Sequence, residues 1–187
     1  MLQLNCLTTY HAEIWNEFAP SYTQLGWSAA HMGLEQENPL KASHTWKRDC
    51  GLRTDRARRQ ALLEVDVLVA MSLGLTLDEL IQIYRLVFPV LNSYENNTWY
   101  DQNGRIVWSN RSGKGMAIPR LEWDRHRNMQ RGILAEDATI DFLPEGPHEY
   151  TIEYEAPFTK PDREEDYQVA WTYFESELQS PSQREVT

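Results

Sequence analysis

The sequence predicts a helix-dominated α+β fold, with a helical hairpin core, a β-hairpin and a C-terminal helix. Three patterns in the sequence support this prediction. Apolar residues at helical spacing lead up to Gly74, and a second helical stretch follows it. An Asn-Gly pair at 103–104 stands between two β-prone runs, which is typical of a hairpin turn. Residues 162–178 again carry apolar side chains at helical spacing.

The composition is that of a folded globular protein. The chain has 187 residues, of which 41% are hydrophobic and 11% aromatic, and this excludes the disordered class. We expect a lead-in helix and loop over residues 1–45, a single globular domain over 46–178, and a frayed tail over 179–187. The chain shows neither an export signal nor an apolar stretch of membrane-spanning length, which favours a cytoplasmic protein with reduced cysteines.

The first half of the chain predicts three helices. Residues 9–18 suit a short amphipathic helix, and the glycines and prolines of residues 20–39 suit a surface loop. A long helix is expected to begin near Thr45 or Thr54 and to end at Gly74. Thr76 and Glu79 have capping-box spacing and predict the start of a further helix, which Pro89 closes. On the long helix Leu62, Val65, Leu68, Val69 and Leu73 keep helical spacing. Leu63, Val67 and Met71 cover much of the remaining surface, so we expect this helix to be buried on more than one side.

The second half mixes strands and helices. Residues 97–109 predict the β-hairpin, and residues 109–115 follow it as a flexible basic loop. Pro119 is expected to open a short helix that reaches Met129. Residues 150–154 alternate like a strand. The final helix, over residues 162–178, is expected to bury Tyr167, Ala170, Trp171, Phe174 and Leu178.

Charge is distributed unevenly along the chain. The net charge of −10 argues against a generic nucleic-acid binder. Residues 46–60, however, hold six basic and two acidic side chains, and residues 101–132 hold seven basic and three acidic ones. Each of these basic islands has a net charge of +4. Residues 133–187 carry fourteen acidic and three basic side chains. Local potential steers a charged ligand, so each island is a candidate site for a polyanion.

Glu64 and Asp66 lie inside the apolar part of the long helix. Two positions apart on a helix they point about 200° away from each other, so they cannot form a paired acid/base site on one face. An unpaired buried carboxylate is costly, and we therefore interpret both as structural buried charges. Each is expected either to form a salt bridge, with Arg85 or an arginine of the run from Arg53 to Arg59 as the candidate partner, or to cap the backbone of another segment.

The sequence gives no catalytic motif and predicts no bound metal or cofactor. The five histidines are scattered, and Cys6 and Cys50 have no metal-ligand spacing. The Ser-Gly-Lys-Gly of residues 112–115 lacks the rest of a phosphate loop. Glu153, Glu155 and Lys160 lack the spacing of a metal-dependent nuclease. The aromatic cluster at residues 99–108 is more typical of a hairpin core than of a base-stacking platform.

Several sequence blocks together resemble one family. They are residues 58–80, 83–91, 98–107, 153–158, 162–167 and the Ala-Trp pair at 170–171. The set is similar to the C-terminal portion of large bacterial adenine-specific DNA methyltransferases. These are the fused restriction–modification type and relatives in phage-defence systems such as BREX and DISARM. Such enzymes use a glycine-containing loop for S-adenosylmethionine and an Asn/Asp-Pro-Pro-Tyr/Phe motif, and this chain contains neither.

The resemblance implies a non-catalytic module that binds or positions DNA for a catalytic methyltransferase domain or subunit. S-adenosylmethionine would be bound by that partner. DNA-backbone contacts are expected from Arg53, Arg56, Arg58, Arg59, Arg105, Arg111 and Lys114. Two alternatives stay open: a structural subunit that stabilises the methyltransferase without touching DNA, and an acidic effector that mimics DNA.

Overall fold

The computed structural model describes residues 1–21, 27–28, 44–109 and 118–179. Within these ranges it contains seven α-helices and two antiparallel two-stranded sheets, which confirms the helix-dominated α+β prediction. In chain order the elements are α1 (Leu2–Asn5), α2 (Ala12–Phe18), α3 (Asp55–Ser72), α4 (Leu77–Val87), α5 (Pro89–Glu95), β1 (Trp99–Tyr100), β2 (Ile106–Trp108), α6 (Arg120–His126), β3 (Ile133–Ile140), β4 (His148–Glu155) and α7 (Arg163–Gln179).

The chain divides into two compact units. Unit 1 consists of Met1–Val87 and Arg163–Thr187, and unit 2 consists of Phe88–Asp162. These boundaries differ from the expected ones, because the lead-in belongs to the same unit as α3, α4 and α7. The described residues include no helix with the length and apolar character needed to span a membrane. The predicted loop over 20–39 and the tail beyond residue 179 lie almost wholly outside the described residues.

Helix α3 begins and ends where the sequence indicates. Thr54 is its N-cap, and the Thr54 Oγ1 accepts a hydrogen bond from the backbone N–H of Ala57 at 3.3 Å. At the other end Leu75 N donates to Ala70 O, and Gly74 N donates to Met71 O. Gly74 has φ of +75°, the left-handed conformation that this pattern of terminal bonds requires. The cap and the glycine stop are therefore both confirmed.

The start of α4 is also the predicted one. The Glu79 carboxylate accepts hydrogen bonds from the Thr76 backbone N–H and hydroxyl, at 2.8 and 2.9 Å. The Glu79 N–H in turn donates to the Thr76 hydroxyl. Backbone donors at both positions of the helix start are thus satisfied, which confirms the capping box.

The structure buries only one of the two apolar stripes that the sequence predicts for α3. Leu62 and Val69 are each 50% exposed and Leu73 is 70% exposed, whereas Leu63 and Val67 are fully buried. The buried face of the helix also carries the polar residues Arg59, Gln60 and Glu64. Apolar spacing alone does not distinguish the two stripes. The polar side chains join the buried stripe because they find hydrogen-bond partners inside the unit.

Helix α7 completes the core of unit 1. It packs against both α3 and α4, and the rings of Tyr84 and Tyr167 meet edge to face at 6.0 Å. Tyr167, Ala170 and Phe174 are buried as predicted, whereas Leu178 is exposed. Helices α3, α4 and α7 therefore pack against one another in pairs.

Unit 2 is built around Trp123. Strands β1 and β2 form the predicted hairpin, with Gly104 at φ of +77° in its turn. The Trp123 ring lies parallel to that of Trp108 at 6.1 Å and contacts Trp99 at 5.5 Å. Trp99 and Trp108 pack against a buried cluster, which agrees with a hairpin core. Its buried members are Val107, Ile118, Trp123, Leu134, Tyr154, Ala156 and Phe158.

A second hairpin extends the strand that the sequence indicates. Strands β3 and β4 pair in antiparallel fashion from Ile133 opposite Glu155 to Ile140 opposite His148. The sequence predicts only residues 150–154 of β4. Strand β3 was missed because Glu136 and Asp137 interrupt its apolar pattern, so periodicity gives no signal there.

Candidate functional site

Two arginines of the first basic island hold the N-terminal segment of unit 1. Arg53 donates from Nε to the carbonyl oxygen of Arg48 at 2.8 Å and from Nη2 to that of Leu7 at 2.6 Å. Arg58 donates from Nη1 to the carbonyl oxygen of Leu4 at 2.8 Å. Both guanidinium groups therefore serve the fold, closing the first residues of the chain onto the start of α3.

Arg59 is part of a buried ion pair. Its Nη1 lies 2.6 Å from Oδ2 of Asp166, and the two side chains are only 7% and 4% exposed. The pair joins α3 to α7. A phosphate cannot approach a guanidinium group at this depth, so Arg59 is removed from the expected set of DNA contacts. Arg56, one turn earlier, is half-buried.

Glu64 is the buried carboxylate that its apolar neighbours predict. It is 2% exposed and accepts hydrogen bonds from the Ser28 hydroxyl at 2.7 Å and from Gln60 Nε2 at 3.0 Å. The Ser28 backbone N–H donates to it as well. Removal from water raises the pKa of Glu64 above its ordinary value, although these donors oppose the shift. Of the two expected alternatives, Glu64 follows the second, because it accepts a hydrogen bond from the backbone of another segment and neutral donors take the place of an arginine.

Asp66 is half-exposed, which corrects its interpretation as a buried charge. Its side chain is 47% exposed, and Oδ2 accepts hydrogen bonds from Arg163 Nη2 at 2.7 Å and from the Tyr167 hydroxyl at 3.1 Å. Burial raises the pKa of Tyr167 to about 12, so its hydroxyl remains protonated as a donor. Arg85, the other expected partner, pairs with Glu164 instead.

Arg105 connects the two hairpins of unit 2. It donates from Nε to Asp101 Oδ2 at 2.9 Å, and its guanidinium group lies 5.2 Å from the centre of the Tyr154 ring. Its Nη2 also donates to the carbonyl oxygen of Glu153. Asp101 is fully buried, so this contact is structural. The remaining two expected contacts, Arg111 and Lys114, lie outside the described residues.

Four arginines on and after α6 are exposed cations of unit 2. They are Arg120, Arg125, Arg127 and Arg131, and all are exposed, Arg120 by 83%. The first three of them lie 3.3 to 3.9 Å from the carboxylates of Glu122 and Asp124. Surface pairs of this kind contribute little to stability and exchange readily for another anion. The net charge of residues 101–132 could have indicated these residues, but the expected set did not include them.

The described ranges hold no group of three or more His, Cys, Asp or Glu side chains that could bind a metal ion. Comparisons of the chain with protein families, curated proteins and solved structures find no match. The resemblance to methyltransferase C-terminal portions therefore stays a prediction.

Proposed function

We propose that this chain is a non-catalytic DNA-positioning module of an adenine-specific DNA methyltransferase, in a restriction–modification or phage-defence system. The resemblance of several sequence blocks supports the family. The exposed arginines of residues 120–131 support contact with DNA, and they are the single structural observation on which the proposal rests. Methyl transfer from S-adenosylmethionine would occur on a separate catalytic domain or subunit.

The contact surface consists of Arg120, Arg125, Arg127 and Arg131. Residues 118–132 hold these four arginines and two acids, a net charge of +2. A guanidinium group can donate two parallel hydrogen bonds to phosphate, which suits a backbone contact. Such contacts fix the position of a duplex and carry no sequence information of their own. The module would therefore hold DNA in place while its partner selects the target adenine.

Unit 1 has a smaller part in this proposal. Arg58 and Arg59 are used inside the unit, and Arg53 already binds two backbone carbonyl groups. Their substitution would disturb the fold before it disturbed a DNA contact. The test of DNA binding therefore belongs on the exposed arginines of unit 2.

The salt dependence of DNA binding tests the proposal. We expect the dissociation constant of a short duplex to rise steeply with salt, because each neutralised phosphate releases counterions. Replacing Arg125, Arg127 and Arg131 with Ala should weaken binding to DNA of every sequence. The slope of the logarithm of the binding constant against the logarithm of the salt concentration should become shallower by about one for each phosphate that is no longer neutralised. Arg85→Ala removes an exposed arginine of unit 1 and is the matched control. An unchanged slope in the triple variant would contradict DNA contact by this surface.

A second candidate is the structural subunit that stabilises a methyltransferase without touching DNA. The exposed stripe of Leu62, Val69 and Leu73 on α3 favours it, because the three side chains lie on one helix face. Combined Val69→Ser and Leu73→Ser should then abolish co-purification with the catalytic polypeptide while the fold is retained. An unchanged salt slope in the arginine variant, together with this loss of co-purification, would favour the second candidate.

A further inference from the structure

The β3–β4 hairpin, residues 133–155, is attached to unit 2 only at its base. Leu134 and Tyr154 are buried in the core cluster, and the neighbouring Ile152 is partly buried against it. Residues 135–153, all of which the structure describes, include no buried side chain. Strands of eight residues extend over about 26 Å, so most of the hairpin is an arm that the core of unit 2 does not cover.

The arm carries apolar side chains far from this core. The face that begins with Leu134 and Tyr154 continues outward, by strand register, through Tyr150 and Ile140. At the tip Phe142 is 81% exposed. Tyr150 is exposed as well, and His148 stacks on its ring. A two-stranded hairpin is marginally stable alone in water, and exposed apolar clusters mark interaction sites.

The charge of the arm restricts what can bind it. Residues 133–155 contain no Lys or Arg. They contain seven acids, which are Glu136, Asp137, Asp141, Glu145, Glu149, Glu153 and Glu155. Such a surface repels nucleic acid and fits a basic protein surface with an apolar centre.

A surface of that kind exists on this chain. Residues 118–132 hold the four exposed arginines described above, and Leu121 is 66% exposed among them. We propose that the arm of one copy binds the α6 surface of a second copy, with Phe142 against Leu121 and the acids of the arm against the arginines. Two such contacts, exchanged reciprocally, close a two-fold dimer. This pairing does not depend on the proposed function, although the same arginines would serve both.

Sedimentation equilibrium of the full chain without DNA tests the pairing. We expect a monomer–dimer equilibrium that shifts towards the monomer as the salt concentration increases. Phe142→Ser should raise the dissociation constant at least about tenfold, as the removal of a central aromatic side chain does. The matched control is Leu86→Ser, an equally exposed apolar residue on α4, and it should leave the constant unchanged. Because Phe142 is exposed, its substitution should leave the far-UV circular dichroism unchanged.

A charge exchange identifies the two surfaces. One variant carries Arg125→Glu and Arg127→Glu, and the other carries Glu145→Arg and Glu149→Arg. Each alone should be monomeric, because both reciprocal contacts then join like charges. An equimolar mixture of the two variants should form a heterodimer. In one of its contacts the unchanged acids of the first variant meet the unchanged arginines of the second. In the other contact both charges are reversed, so the surfaces again have opposite charge. Three results would overturn the proposal: a wild-type chain that is monomeric at every concentration, a dimer indifferent to Phe142→Ser, or a mixture that fails to associate. None of them bears on DNA binding.

Discussion

The buried carboxyl group of Glu64 makes the stability of unit 1 depend on pH. Its pKa in the folded chain is raised above the ordinary value of 4.5, so the folded state binds the proton more tightly than the unfolded state. The contribution to stability is complete below about pH 4.5. It decreases as the pH rises from there through the raised pKa, and above that pKa it is lost.

Glu64→Gln should remove this dependence. We expect the difference in free energy of unfolding between the variant and the wild type to change across that window and to be constant elsewhere. Glu79→Gln is a control of opposite sign, because bonds from Thr76 lower the pKa of Glu79 and its contribution is lost as pH falls. Urea denaturation at a series of pH values measures both. Parallel pH profiles for Glu64→Gln and the wild type would mean that Glu64 does not titrate in this window.

The sequence identified Glu64 but not its surroundings. A carboxylate between Leu63 and Val65 is conspicuous in any helix, and the cost of burial predicts that it has a partner. The partner Ser28 lies 36 positions earlier, in a region where no periodic pattern fixes the chain. Local sequence carries no signal of such a contact. For the same reason the sequence could not decide between an arginine partner for Glu64 and the backbone of another segment.

Helices α3 and α7 are joined by the Arg59–Asp166 pair, and its removal tests how much that contact contributes. Arg59→Ala should lower the free energy of unfolding by about 3–5 kcal/mol, because Asp166 is left buried without its cation. The decrease should appear in the midpoint of urea denaturation. Arg85→Ala breaks an exposed pair between α4 and α7 and should have a much smaller effect. If the free energy of unfolding decreased equally in the two variants, burial of the Arg59–Asp166 pair would not account for its contribution to stability.

Element boundaries were more predictable than element faces. Thr54, Gly74 and the Thr76–Glu79 box determine where helices begin and end through bonds to nearby backbone, so the sequence contains the whole signal. The buried face of α3 depends on what packs against it. Because α7 brings Asp166 to Arg59, a polar stripe is buried and Leu62 remains exposed. The same limit applies to the candidate site, since only the fold separates structural arginines from accessible ones.

At the scale of the whole molecule, the two units should respond separately to core substitutions. Leu63 is fully buried in unit 1 and Leu134 is buried in unit 2. Each change to Ala should cost about 2–5 kcal/mol. We expect the double variant to be destabilised by the sum within about 0.5 kcal/mol, since the sites share no core. Denaturation of both single variants and the double variant measures this, and a coupling above about 1 kcal/mol would mean that the two sites are energetically coupled.

Unit 1 is discontinuous in the sequence, and this affects its biosynthesis. Residues 1–87 leave the ribosome first, all of unit 2 follows, and only then does α7 emerge. Until then Arg59 has no Asp166 to bind, and the surface of α3 that α7 will cover faces water. Unit 2 is continuous and can complete its contacts during translation. The nascent chain therefore carries an incomplete helical layer while the whole of unit 2 is synthesised, and chaperones can bind that layer during this interval.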